Sequence, residues 1–316
     1  MRGKSLLTTL AKVLLTVAAL YWVYRTTDVP AVLSLIRGMD LRFGLLGVLF
    51  VFFGLSLSGI RWWIFLPFKD RVSPLKAVFI TLGALFYGMF LPAGAGVDAI
   101  RGYYAGLEID SHSTSFASVF VDRMVGFLAL TTIALVALLL GSAPLRPLAP
   151  LIVASFALTF FAAVVMLSRR LRHPVARLLQ RWGIWGVGPK LAGFLMAFDH
   201  YRDNPGKVVA GFLLSFLMQG LLGVGAYFIG VGLHLKPPFV KTVVYTPLVN
   251  LITMLPITIG GVGLREGGFI YLLSHAVGKA GAVSMSILYY FANILAASPG
   301  FLFIWLASRN RREHQP

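Results

Sequence analysis

Long blocks of apolar residues are the feature that most constrains what this chain can fold into. Six blocks of roughly 20 residues are long enough to cross a bilayer core of about 30 Å as helices. They lie at about 5–25, 43–65, 116–141, 149–168, 208–232 and 281–306. Only 12% of the residues are charged and 58% are hydrophobic, which is too little charge to cover a soluble surface. The sequence therefore predicts an all-α, multi-pass membrane protein.

Two further apolar stretches, 76–92 and 239–256, are shorter, and each ends in Leu-Pro followed by a glycine-rich run. Proline and glycine at membrane depth leave backbone groups that the protein or cavity water must satisfy. We therefore expect two re-entrant hairpins. The alternative is eight or more ordinary crossings with Pro-Gly loops at the surface.

The distribution of Lys and Arg predicts the orientation. With the N-terminus inside and both hairpins returning to their own side, inner loops carry 17 basic residues and outer loops carry 7. This excess predicts that both termini are cytoplasmic. The net charge is +17, and the basic residues lie between the apolar blocks. This placement indicates contact with an anionic leaflet rather than with nucleic acid. Segment 169–190, with six basic residues, predicts an inner loop or an interfacial segment that binds anionic lipid.

The chain also repeats a motif. LPAGAGVDAIR begins at Leu91 and LPITIGGVGLR begins at Leu255, so that Leu, Pro, Gly and Arg match at an offset of 164. The predicted motif turns are Pro92, Gly94, Gly96, Pro256, Gly260, Gly261 and Gly263.

Long crossings flank both motifs, and crossings 43–65 and 208–232 would run in opposite directions. This pattern predicts inverted halves, about 40–141 and 207–306, with opposed hairpins. Residues 149–206, which contain spans and the basic loop, join the two halves, and helix 5–25 precedes them. The whole chain, 1–316, is predicted to form one domain. Many secondary transporters are built this way, with interrupted helices that meet near the midplane.

Arginines end both motifs, although an ionised side chain in a membrane costs roughly 2.5–3.5 kcal/mol. Arg101 and Arg265 suit a phosphate, because the guanidinium fork donates two parallel hydrogen bonds and stays charged. Glycine-rich turns would add backbone N–H donors for the same anion. The alternative is that both arginines only snorkel to the interface.

Carboxylates lie beside these arginines. Asp98 and Glu266 are predicted as salt-bridge partners, with a cationic headgroup or a coupled proton as alternatives. Asp122 and Arg123 lie inside block 116–141 and point about 100° apart on a helix. We expect Asp122 to face Arg101 and Arg123 to face a lipid phosphate, unless the helix begins later and leaves both at the interface.

Two other polar residues lie inside the apolar segments. Arg61 precedes two tryptophans and is interpreted as an interface anchor. Asn250, an amide inside the second hairpin, is placed near the site. The candidate headgroup-binding residues are Arg101, Arg265, Arg123, Asp98, Asp122, Glu266 and Asn250.

Enzyme signatures are missing from the sequence. It has no Cys, no Walker A, HExxH or DxD pattern, and its six His are scattered. No catalytic residue, metal or cofactor is predicted, and we do not expect this chain alone to use ATP.

Three segments carry a family resemblance: LFYGMFLPAGAGVDAIRGYY, SVFVDRMVGF and LPITIGGVGLREGGF. They closely resemble the flippase-like transmembrane region of bacterial lysylphosphatidylglycerol synthases and their stand-alone relatives. The similarity covers roughly residues 40–306, and Gly-x-Arg-Glu at 263–266 is its most specific element. The resemblance implies movement of aminoacylated phosphatidylglycerol between leaflets, with the charged candidates above as the functional positions. It also implies the cytoplasmic membrane of a prokaryote.

The segment after the last span has only about ten residues, so we do not expect the aminoacyl-transferase domain or lysyl transfer here, and the headgroup is expected to differ among stand-alone relatives. The predicted function is binding or transbilayer movement of a phosphate-bearing lipid without ATP. The predicted partner is a membrane phospholipid or another anionic lipid. The alternatives are an accessory or catalytic membrane subunit of lipid or polyprenyl-glycan synthesis, and a proton-coupled small-solute transporter. A second copy of the chain and a separate lipid-synthesis enzyme stay open as protein partners.

Overall fold

The computed structural model describes residues 2–67, 70–90, 95–168, 204–254 and 257–313, and in these ranges the regular structure is helical. The predicted basic segment 169–190 lies outside them. The α-helices of the described ranges are α1 Arg2–Thr26, α2 Val29–Arg37, α3 Leu41–Phe65, α4 Pro74–Phe90, α5 Ala95–Ile109, α6 His112–Leu139, α7 Ala149–Leu167, α8 Pro205–Gly232, α9 Phe239–Thr253 and α10 Leu264–Glu313. Two 3₁₀ turns, Ala143–Leu148 and Ile259–Gly261, precede α7 and α10.

Long apolar helices make this a multi-pass membrane protein. In the described ranges, five are long and apolar enough to span a bilayer: Leu41–Phe65, His112–Leu139, Ala143–Val165, Pro205–Gly232 and Leu264–Leu306. They cover five of the six predicted crossings, and the sixth, 5–25, lies on the 25-residue α1. Only 6% of the most apolar window of Ala143–Val165 is buried, as expected for a helix whose apolar sides face lipid.

The helix that carries Asp122 begins earlier than the sequence suggested. α6 starts at His112, where the Ser111 hydroxyl accepts a hydrogen bond from the Thr114 N–H at 3.4 Å. Asp122 therefore lies almost three turns into the helix. This excludes the alternative in which α6 begins late and leaves Asp122 and Arg123 at its first turn.

The two short apolar stretches form α4 and α9, with 17 and 15 residues. At 1.5 Å per residue they measure about 26 and 23 Å, less than a bilayer core. A second helical arm follows each of them, and the sequence analysis missed both arms. These arms are α5 and the part of α10 before Gly278, where φ of 76° and ψ of 163° interrupt the helix.

Close approaches pair the arms into helical hairpins. A Cβ on Gly88 of α4 would overlap the Val97 side chain of α5. A Cβ on Gly268 of α10 would lie 3.1 Å from the Val249 side chain of α9. Two helical hairpins are therefore present, while their predicted re-entrant course in a membrane stays a prediction.

The helix order around the two motifs is the same. α3, α4, α5 and α6 surround the first motif, and α8, α9 and the two parts of α10 surround the second. Leu41 and Pro205, the first residues of α3 and α8, are separated by 164 residues, the offset of the motifs themselves.

The chain divides into two compact units. The large unit comprises Met1–Gly59, Val78–Ile100 and Leu217–Pro316, and in it α2 and α9 pack against α10. The small unit comprises Ile60–Ala77 and Arg101–Phe216. In the small unit α6 packs along α7, and the hydroxyls of Thr131 and Thr159 are hydrogen-bonded at 2.9 Å.

Candidate functional site

In the small unit, one carboxylate binds two arginines. Asp122 on α6 is 1% exposed, and Arg61 and Arg101 are 6% and 3% exposed. Arg61 donates from Nε to Oδ1 at 2.7 Å and from Nη2 to Oδ2 at 3.1 Å. Arg101 donates from Nη1 to Oδ2 at 3.0 Å. The predicted pairing of Asp122 with Arg101 is confirmed, and it is one part of a larger cluster.

Further polar and aromatic groups hold this cluster in place. Arg61 Nη1 donates to the Ser215 hydroxyl on α8 at 2.9 Å. The Arg101 guanidinium lies 4.5 Å from the centroid of the Trp62 ring, and the Trp62 indole donates to the Ser118 hydroxyl at 3.0 Å. The cluster therefore ties α3, α5, α6 and α8 together through buried charge-assisted and cation–π contacts.

The interpretation of Arg61 as an interface anchor is wrong. The side chain is buried and is bonded to a carboxylate 61 residues away in the sequence. The two tryptophans that follow Arg61 suggested a position at the membrane–water interface. In the structure, Trp63 donates its indole N–H to the Val72 carbonyl at 2.7 Å. The signal that could have identified the pair is that Arg61 and Asp122 each lie inside an apolar block, where each needs an opposite charge.

The other predicted residues of the first half are placed as follows. Arg123 follows Asp122 on α6 and is half-buried, and Asp98 is half-buried in the first turn of α5. Gly96 also belongs to the first turn of α5, so the prediction of a motif turn at Gly96 is wrong, because the helix begins one residue before it. The remaining first-motif turn residues, Pro92 and Gly94, lie outside the described residues.

In the large unit, the second motif forms a left-handed glycine turn. Gly260, Gly261 and Gly263 have φ of 61°, 73° and 85°, a region that favours glycine. All three predicted turn positions lie in this left-handed segment, and Pro256 lies outside the described residues. A Cβ on Gly260 would lie 3.1 Å from the Met89 carbonyl oxygen, so the end of α4 packs directly on this turn.

Arg265, the second residue of α10, folds back over the glycine turn. Its side chain is 7% exposed, and Nη2 donates to the Gly260 carbonyl at 2.8 Å. The guanidinium lies 4.1 Å from the centroid of the Tyr290 ring, whose hydroxyl donates to the Met89 carbonyl at 3.4 Å. Within the described ranges, Arg265 forms no ion pair, and its buried Nη1 has no hydrogen-bond partner.

Glu266 caps the helix instead of pairing with Arg265. Its Oε2 accepts from the Gly263 N–H at 2.6 Å, and its Oε1 accepts from the Ser286 hydroxyl at 3.0 Å. A third-position Glu that bonds the cap N–H is the carboxylate half of a capping box. The predicted pair forms no direct salt bridge in the part of the chain described, because consecutive side chains diverge by about 100° on a helix, but the buried Glu266 carboxylate still attracts the Arg265 guanidinium.

Asn250 lies close to Tyr289, the neighbour of Tyr290 on α10, and the sequence also placed Asn250 near the site. Its amide donates to the Tyr289 hydroxyl at 3.3 Å, one residue from the ring beneath Arg265. The sequence analysis missed Tyr289, Tyr290 and Ser286. They lie more than 20 residues after Arg265, the end of the motif, in an apolar helix. No local sequence pattern distinguishes them from the other residues of that helix.

An apolar cavity lies in the small unit between α6, α7 and α8, with a volume of about 360 Å³. Ten of its eleven lining residues are apolar, and the other, Thr132, donates its hydroxyl to the Leu128 carbonyl. Val121 and Val125, which flank Asp122, line it and also pack against Phe65. This cavity can hold hydrocarbon and offers no polar partner to a headgroup.

Sequence comparison identifies the family. The model of the lysylphosphatidylglycerol synthase TM region matches residues 9–299, almost the whole chain. The chain belongs to this family. Membership confirms the resemblance of the motif segments and implies a lipid-related function in a membrane. No curated protein matched the chain in a separate sequence comparison.

Proposed function

We propose that this protein binds a phosphate-bearing lipid and moves it between the leaflets without ATP. The observation that carries the proposal is Arg265, a buried guanidinium held by a carbonyl and an aromatic ring. In the described ranges it forms no salt bridge, and its Nη1 has no acceptor. An anionic ligand would complete this site.

The electrostatics of the second motif favour a phosphate. Burying a guanidinium without a direct salt bridge costs several kcal/mol, and a cation–π contact returns only about 0.5–2 kcal/mol of it. Arg265 lies in the first turn of α10, where the helix dipole favours an anion, although Glu266 already accepts from the Gly263 N–H of this helix end. A phosphate fits this site because its oxygens are strong acceptors for the unpartnered Nη1 donor and its negative charge strengthens those hydrogen bonds.

The arrangement of helices supports movement as well as binding. The two motifs have the same helix order and the same offset, as expected for a repeat. Met89, two residues before the first motif, contacts Gly260 and Tyr290 of the second motif region. In transporters with inverted repeats, interrupted helices meet in this way around the transported species.

A liposome assay tests the proposal. Labelled phosphatidylglycerol should exchange between leaflets in vesicles that contain the protein, while an equally labelled diacylglycerol should show no protein-dependent exchange. Arg265→Ala should slow the exchange by about tenfold or more, since a hydrogen bond to a charged group contributes about 1.5–3 kcal/mol. Arg265→Lys should retain part of the rate, because it keeps the charge and loses the fork.

Arg25→Ala is the matched control. Arg25 also lies over a tyrosine, with its guanidinium 5.9 Å from the Tyr21 ring, but it is exposed. Its removal should leave exchange unchanged. Wild-type exchange by Arg265→Ala would contradict the proposal, and binding without exchange would favour the accessory-subunit alternative.

Cysteine labelling tests the inverted repeat, because the native chain has no Cys. Ser113 and Lys236 are exposed, and Ser113→Cys keeps the Ser111 cap of α6 intact. In whole cells, an impermeant maleimide should label Lys236→Cys from outside and Ser113→Cys only after the membrane is opened. Labelling of both from one side would exclude the inverted arrangement.

A further inference from the structure

Thr258, in the turn before α10, has a buried hydroxyl that the described chain leaves unpartnered. The residue is 4% exposed, and within the described ranges its Oγ1 has no hydrogen-bond partner. Neighbouring threonines behave differently. Thr246 donates to the Thr242 carbonyl and Thr253 donates to the Asn250 carbonyl, each at 2.8 Å. Burying a hydroxyl without a partner is unfavourable, so the Thr258 hydroxyl, which lies beside the second motif, requires an explanation.

The position of Thr258 relates it to Arg265. Thr258 lies two residues before Gly260, the residue whose carbonyl receives Arg265 Nη2. Gly260 and Gly261, between Thr258 and Arg265, have left-handed conformations. Thr258 and Arg265, seven residues apart in the sequence, therefore place two buried donors without acceptors on the two sides of this glycine turn, the Thr258 hydroxyl and Arg265 Nη1.

We propose that the Thr258 hydroxyl is the second side-chain donor to the phosphate that Arg265 binds. This inference rests on the proposed function and specifies its ligand as a phosphate ester or free phosphate that takes hydrogen bonds from both side chains. A threonine hydroxyl needs a single strong acceptor, and a phosphate oxygen is one. The two sources of phosphate share this chemistry, and the experiment distinguishes them.

The test measures binding by the purified full chain in detergent. The probe is radiolabelled phosphatidylglycerol, and unlabelled inorganic phosphate and diacylglycerol serve as competitors. Thr258→Val keeps the side-chain volume and removes the hydroxyl, while Thr258→Ser keeps the hydroxyl. Thr246→Val is the matched control, because that buried hydroxyl is already bonded within α9. The melting temperature of each variant is measured in parallel.

The expected result is a loss of affinity of about tenfold or more for Thr258→Val. Thr258→Ser should stay within about threefold of wild type, and Thr246→Val should be unchanged. Thr258→Val should melt at or above the wild-type temperature, because it removes an unpartnered polar group. Efficient competition by inorganic phosphate would support the same two donors with a soluble ligand, and failure of diacylglycerol to compete supports phosphate recognition.

Two outcomes separate this inference from the proposed function. If Thr258→Val binds like wild type while Arg265→Ala loses binding, the role of Thr258 is wrong and the Arg265 site stands. If both variants bind like wild type, the proposed function fails, and the inference fails with it. Equal losses in Thr258→Val and Thr258→Ser, with lowered melting temperatures, would show a structural role for Thr258 and overturn the inference.

Discussion

Arg101 and Arg265 hold corresponding positions in the two motifs, yet their surroundings differ. Arg101 donates to Asp122, which Arg61 also binds, and lies against Trp62. Arg265 lies against an aromatic ring as well, but its described hydrogen bond goes to a backbone carbonyl. Both side chains are buried, so exposure does not explain the difference.

This comparison separates two uses of a buried charge in a membrane. An internal carboxylate makes the first cluster part of the protein's own structure, since breaking a buried ion pair leaves an uncompensated charge. The second cluster contains a guanidinium that forms no direct salt bridge within the described chain, since the adjacent Glu266 carboxylate is hydrogen-bonded to the cap of α10 and to Ser286. We infer that the first motif arginine has a mainly structural role and that the second binds the ligand.

The largest expected effect is on the structural cluster. Asp122→Asn removes the carboxylate that both arginines share, and we expect a loss of about 3–5 kcal/mol in unfolding free energy. Titration with a denaturing detergent measures it, together with folded yield. Asp110→Asn is the control, because its ion pair with Arg71 is exposed, at 83% for the Asp110 side chain, and should contribute less than about 1 kcal/mol. Wild-type stability of Asp122→Asn would remove the basis of the comparison.

The motif arginines themselves give the next largest effect. Arg101→Ala loses one charge-assisted hydrogen bond and the contact with Trp62, while Arg61 still neutralises Asp122. We expect a loss of about 1.5–3 kcal/mol. Arg265→Ala loses one hydrogen bond to a carbonyl and the contact with Tyr290, but it also removes a buried cation that has no direct salt bridge, so its unfolding free energy should fall by less than that of Arg101→Ala. Equal losses in the same titration would contradict the division between a structural and a ligand-binding arginine.

Much of this fold can be predicted from local sequence patterns. Block length predicted the long helices, and the Leu-Pro-Gly motifs predicted that α4 and α9 would be short. The pairing of Arg101 with Asp122 followed from the cost of isolated charge in a membrane. These features depend on periodicity, length and charge, which a single sequence displays directly.

The features that sequence analysis missed depend on distant residues or on detailed side-chain direction. Arg61 was misinterpreted because adjacent tryptophans are typical of an interface, whereas its carboxylate is 61 residues away. Glu266 was assigned to its neighbour Arg265, but it bonds the cap N–H and a serine 20 residues later. The second hairpin arms were missed because their ends depend on single backbone conformations, such as Gly278 at φ of 76°.

Glu266 gives a smaller expected effect and tests the proton-transport alternative. Glu266→Gln keeps one acceptor for the cap N–H or the Ser286 hydroxyl, so we expect a loss of about 1 kcal/mol in stability. Exchange of phosphatidylglycerol should continue near the wild-type rate, because the carboxylate caps α10. If Glu266 were the proton carrier, the same variant would abolish transport while remaining folded. Leaflet exchange and a proton-flux assay on one liposome preparation measure both results.

The smallest expected effect concerns the headgroup amine. Lysyl-phosphatidylglycerol differs from phosphatidylglycerol by added ammonium groups, which need a carboxylate for strong recognition. Of the carboxylates beside the motif arginines, Asp122 is bonded to Arg61 and Arg101, and Glu266 is bonded to the cap of α10 and to Ser286. Recognition through phosphate should therefore give affinities for the two lipids within about threefold of each other, or about 0.7 kcal/mol. Competition binding with both lipids measures the ratio. A preference of tenfold or more for the lysyl lipid would mean that a carboxylate recognises the amine, and its loss in Glu266→Gln would identify that carboxylate.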